Sequence, residues 1–144
     1  MPANVRIGAG LGFYGDAWEP VAASIERGGV HYIASDHLAE LTLAILQKDR
    51  QRDATLGHAR DVLPMLVKLW PLMRERGVKF VCNAGGLNPR GAAEALRVAF
   101  ATRGWKARIA VVSGDDVLEM LQAGDARFPH LFNGRAVSEV RDRL

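Results

Sequence analysis

The chain has 144 residues, 49% of them hydrophobic and 24% charged, with a formal net charge of +3. That length has room for one hydrophobic core, and the composition excludes a disordered or fibrous chain. No apolar run reaches the roughly 20 residues of a membrane span, and no charged leader followed by an apolar stretch opens the sequence.

The expectation is therefore one cytoplasmic α/β domain over residues 1–144, with no membrane partner. The lone Cys82 closes no internal disulfide and supplies no thiolate metal set, and it reads as a buried strand residue. Basic residues interleave with acids, as in Lys48-Asp49-Arg50-Gln51-Arg52-Asp53, which reads as a solvated loop. No basic stripe gathers on one face, which argues against nucleic acid as a partner.

In chain order, short apolar runs rich in β-branched residues predict strands at residues 5–7, 30–34, 79–82 and 109–112. The first is followed by a glycine-rich loop and a short helix, and Pro20 nearby fits poorly beyond a first turn. After the second, residues 38–47 read as a helix that ends before the charged loop. Residues 61–76 place Val62, Leu66, Leu69, Trp70 and Met73 at helical spacing, with Gly77 as terminator. Pro71 should kink or divide that helix. Beyond the third strand, Asn88 caps a helix that has Pro89 in its first position and Gly104 past its end, with Ala92, Ala93, Leu96, Ala99 and Phe100 as its core face. After Gly124 the pattern weakens, and Phe128-Pro129-His130 and Asn133-Gly134 read as turns before a short helical tail.

Alternating strands and helices imply right-handed crossovers and a three-layer, Rossmann-like parallel sheet with helices on both faces. In such sheets ligands bind where the loops leave the carboxyl ends of the strands, and here those loops carry the unusual residues. The first contains Gly10, Gly12 and Gly15 in a G-x-G-x-x-G pattern, suited either to a phosphate held by backbone amides or to a tight turn with Asp16 and Glu19 as a capping pair. The second, Asp36-His37-Leu38-Ala39-Glu40, brings two carboxylates and an imidazole to the rim. Asp36 also has a competing use as a helix cap, and His31, His58 and His130 read as ordinary structural or surface histidines. The third offers Asn83, Gly85, Gly86 and Arg90 as an anion cradle. The fourth offers Asp115 and Asp116, which suit a hydroxyl-bearing ligand or a divalent cation, although a helix cap would use one of them.

Taken in order, Gly10-Leu11-Gly12-Phe13-Tyr14-Gly15-Asp16, Leu38-Ala39-Glu40-Leu41-Thr42-Leu43, Asn83-Ala84-Gly85-Gly86-Leu87-Asn88-Pro89 and Gly114-Asp115-Asp116 resemble the acyclic terpene utilisation (AtuA-like) family. The resemblance implies a place in the catabolism of branched acyclic terpenes and related acyl-CoA intermediates. His37 departs from it, standing where the family tends to carry an aromatic residue. Family members run longer, which gives the expectation that a second polypeptide completes the core of a hetero-oligomer.

The candidate function is thus a subunit acting on an acyl-CoA or related acyl thioester, by hydration or dehydration or as a carbon–carbon lyase. Glu40, Asp36 and Asp115 are its proton-transfer or orienting candidates, and Gly10, Gly12, Gly15, Asn83, Gly85, Gly86 and Arg90 its binding candidates. No metal site is assigned and no cofactor is named by these residues. A nucleotide- or dinucleotide-binding module, drawn from the glycine pattern with Asp36, and a noncatalytic assembly subunit are the alternatives.

Overall fold

The computed structural model describes residues 4–123, 129–136 and 139. Three short parallel strands, β1 (Ile7–Ala9), β2 (Tyr32–Ser35) and β3 (Lys79–Cys82), lie in the order β1-β2-β3, with Ile7 opposite Tyr32 and Tyr32 opposite Lys79. Helix α1 (Glu19–Arg27) connects the first pair, while α2 (Glu40–Arg52) and α3 (Val62–Arg76) connect the second. Helix α4 (Pro89–Ala101) follows β3, giving a Rossmann-like α/β fold with a parallel sheet flanked by helices.

Local chemistry explains most of the boundaries. Pro20 sits in the first turn of α1, where its missing N–H costs no helical bond. Asn88 caps α4 by accepting from the Gly91 amide at 2.9 Å. Gly77 ends α3 in the left-handed region at φ 67°. Pro71 lies inside α3 without dividing it, because Leu66, Leu69 and Met73 are buried on either side of it and hold both halves against the same core.

Two expectations need correction. The charged stretch from Lys48 to Arg52 is the end of α2 and not a loop. Lysine, arginine and glutamine favour helix, and Arg50 and Arg52 lie in the last turn, where they complement the helix dipole. Residues 109–112 form no strand, since strand identity needs a partner and no segment among the described residues pairs with them.

The core gathers Val21 and Ile25 from α1, Ile33 from β2, Leu66, Leu69 and Met73 from α3 and Phe100 from α4. Helix α3 packs on both α1 and α4. Among the described residues the sheet face opposite Ile33 is open: Ile7, Ala9, Ala34 and Val81 are exposed along it. The chain divides after Val111. The second unit, Val112–Leu144, contains α5 (Leu118–Gln122) and a turn around Asn133-Gly134 closed by an antiparallel bridge between Pro129 and Ala136. Phe128 and the expected helical tail lie outside the described residues.

The close passage of the first loop over β2 yields a stability prediction. A Cβ on Gly10 would fall 2.5 Å from the Ser35 Cβ, whereas one on Gly12 meets nothing nearer than 3.9 Å. In urea denaturation, Gly10→Ala should cost about 1–3 kcal/mol, as forced overpacking does, and Gly12→Ala less than about 0.5 kcal/mol.

Candidate functional site

At the carboxyl edge of the sheet, side chains take over where the short ladders stop. The Gly10 amide donates to the Ala34 carbonyl at 2.7 Å, and the Leu11 amide donates to Ser35 Oγ at 2.8 Å. The Asp36 amide returns a bond to the Leu11 carbonyl at 2.9 Å. From the other side, Asn83 joins the tips of β2 and β3: its Oδ1 accepts from the His37 amide at 2.8 Å, and its Nδ2 donates to Asp36 Oδ1 at 2.6 Å. The loops at residues 10–16 and 36–40 and the tip at Asn83 therefore form one hydrogen-bonded rim.

The glycine loop is organised from within. Asp16 accepts from the amides of Gly12 at 3.1 Å and Ala17 at 2.8 Å, so it folds back on the loop and does not form a capping pair with Glu19. Gly15, at φ 87°, donates its amide to Asp61 Oδ2 at 2.6 Å. The amides of all three motif glycines thus have partners within the chain. Gly85 and Gly86 sit in tight contacts, where a Cβ would fall 2.7 Å from that of Pro89 or 2.5 Å from a Leu46 methyl.

Asp36 is exposed, and the Asn83 amide, helped by the Leu38 N–H, holds its carboxyl below the usual carboxylate range. It caps a local turn through Leu38; the residue preceding α2 is Ala39, and no side chain caps that helix. Asp36 is a fixed anion with Oδ2 outside these bonds, better suited to orienting a donor than to taking up a proton. Glu40 opens α2 four residues later, exposed and with no side-chain bond among the described residues. Arg90 is exposed in the first turn of α4. Asp115 belongs to the second unit, where Asp116 accepts from the Leu118 amide at 3.1 Å. Cys82 is exposed at the end of β3, contrary to the buried position expected of it.

Three residues that sequence reasoning passed over shape the site. Ser35 Oγ lies 3.0 Å from Nε2 of His37, whose ring is 1% exposed. Asp61 pins Gly15 across 46 positions of sequence. Its Oδ1 and the His37 Nδ1 are both buried and unpartnered among the described residues. Lys68 stands over the Trp18 ring, 4.7 Å from its centroid. Beside the rim, between the glycine loop and the first turns of α3, opens a cleft of about 210 Å³. Leu11, Trp18 and Met65 supply its apolar walls, and Asp16, Asp61 and Lys68 its charges.

The sheet and its rim define a Rossmann-like α/β protein with a polar cluster at the carboxyl edge of its strands. The chain belongs to the acyclic terpene utilisation family protein AtuA family, whose model matches residues 5–144. Comparison with curated proteins and with solved structures brought no match. Among the described residues no helix is long and apolar enough to cross a membrane.

Burial pushes the His37 imidazole down, against the pull of Asp61 and Asp36, so the fold disfavours its protonated form. The unfolded chain protonates it near pH 6.5 and below that binds more protons than the folded chain, so stability falls on acidification. His58 shifts in the same direction and adds to the effect. Urea midpoints should therefore drop as the pH falls below about 6.5, and His37→Gln should flatten that slope without abolishing it.

Proposed function

We propose that this chain is a subunit of an enzyme acting on an acyl-CoA or related acyl thioester, by hydration or dehydration or as a carbon–carbon lyase. The observation that carries this reading is the Asp36–Asn83 pair on the rim, joined through the Asp36 amide to Leu11, which forms part of the apolar wall of the cleft. A side-chain amide has two N–H donors, and Asn83 uses one on Asp36. Its second N–H polarises the thioester carbonyl, which stabilises the negative charge that develops there. Asp36 orients a substrate hydroxyl or the attacking water through its other oxygen. Glu40 moves the proton, since it is the rim carboxylate without a fixed partner among the described residues.

The binding role proposed for the glycines is indirect: Gly10, Gly12 and Gly15 shape the loop that lines the cleft, Gly85 and Gly86 set the turn beyond Asn83, and Arg90 adds positive charge for an anionic ligand. Asp115 is a further candidate carried on the second unit. The open sheet face with Ile7, Ala9, Ala34 and Val81 supports a second polypeptide completing the core. A dinucleotide-binding module fits less well, because amides already engaged inside the chain do not cradle a pyrophosphate.

Glu40→Gln in the assembled enzyme should lower kcat on an acyl-CoA by about 10²–10⁴, the usual contribution of a general acid or base. Asn83→Ala should lower kcat/KM, and calorimetry should detect coenzyme A but neither NAD nor FAD. Unchanged turnover in both variants would remove the assignment.

A further inference from the structure

Two buried polar atoms behind the cleft have no partner among the described residues, His37 Nδ1 and Asp61 Oδ1, so no hydrogen bond joins them. They belong to neighbours nonetheless: the Asp61 charge acts on the His37 imidazole more strongly than that of Asp36, the adjoining residue. The other polar atoms of the two side chains are committed. His37 Nε2 lies 3.0 Å from Ser35 Oγ, which accepts from the Leu11 amide at 2.8 Å and donates to the Leu11 carbonyl at 3.5 Å. Asp61 Oδ2 accepts from the Gly15 amide at 2.6 Å. With Nε2 carrying the ring proton, every bond of Ser35 is accounted for, and Nδ1 is the atom open to a second proton.

We propose that Asp61 couples proton uptake at His37 Nδ1 to the anchoring of the glycine loop: the new N–H draws Asp61 Oδ1 toward it and weakens the bond that Oδ2 accepts from the Gly15 amide. A buried N–H needs an acceptor, and Asp61 Oδ1 is the one carboxylate oxygen among the buried, unpartnered atoms of the described residues. Asp36, the other carboxylate that acts on the ring, is held by the Asn83 side chain and the Leu38 amide. On the surrounding elements, Asp16 is turned onto the amides of Gly12 and Ala17, Glu40 is exposed, and Cys82 stays a neutral thiol. Gly15 and Asp61 both line the cleft, so its shape follows the charge on His37. Because burial lowers the affinity of the ring for a proton, the loop is anchored at neutral pH and slackens only below about pH 6.5.

Amide and imidazole NMR of the full chain tests the coupling. At neutral pH the imidazole nitrogen spectrum should show His37 protonated on Nε2 and bare on Nδ1. On acidification below about pH 6.5 the Gly15 amide proton should move upfield with the same midpoint as the His37 ring, and its exchange protection should fall about threefold to tenfold, the worth of one hydrogen bond. His37→Gln should hold the Gly15 signal flat over that range, whereas His58→Gln should leave its titration intact. Asp61→Asn should lower the His37 midpoint by removing the pull of the carboxylate. A Gly15 signal that stays flat to the acid edge of the folded range overturns the proposal. So does one that titrates equally in His37→Gln, or a ring that already carries its proton on Nδ1 at neutral pH. Should His37→Gln fail to fold, agreement or disagreement of the two midpoints in the unaltered chain still decides.

Discussion

Strands of three and four residues give a parallel sheet too few ladder bonds to hold its tips, and the site depends on how that shortage is met. Ser35 and Asn83 extend the pairing past the strand ends with side chains. Ser35 Oγ substitutes for a carbonyl opposite the Leu11 amide, and the Asn83 side chain ties the end of β3 to the loop after β2, donating to the Asp36 carboxylate and accepting from the His37 amide. The same two residues set the positions of His37 and Asp36. Scaffold and polar cluster are therefore one network, so a substitution in it perturbs geometry and chemistry together.

The first loop illustrates how one pattern serves three physical needs. Gly10 is required by a close approach to Ser35, Gly15 by a left-handed backbone, and Gly12 by neither. Its amide still matters, since it anchors Asp16. A motif normally associated with phosphates is here closed around two carboxylates of the chain itself, those of Asp16 and Asp61.

What was legible in the sequence was what local chemistry decides. Asn88 with Pro89, Gly77 after a helical period, and the β-branched run at β3 act within a few residues and appear as read. The first two strands were placed about two residues early, since their apolar runs begin before the ladder does. Asp61 and Ser35 were not legible, because their partners lie 46 and 24 positions away and nothing in their neighbourhood marks them. The fourth apolar run failed for the opposite reason: its local signal is that of a strand, but pairing is a property of two segments. Asp16 looked like half of a capping pair, and the nearer amides of Gly12 and Ala17 captured it first.

The one-way strand order also bears on how the chain reaches this structure. Each strand pairs only with its neighbour in sequence, so no connection must be threaded past another. The entropy of closing a connection rises slowly with its length, and the link carrying α1 is shorter than the link carrying α2 and α3. Registering β1 on β2 is thus the less demanding event, and it supplies the edge on which β3 can condense.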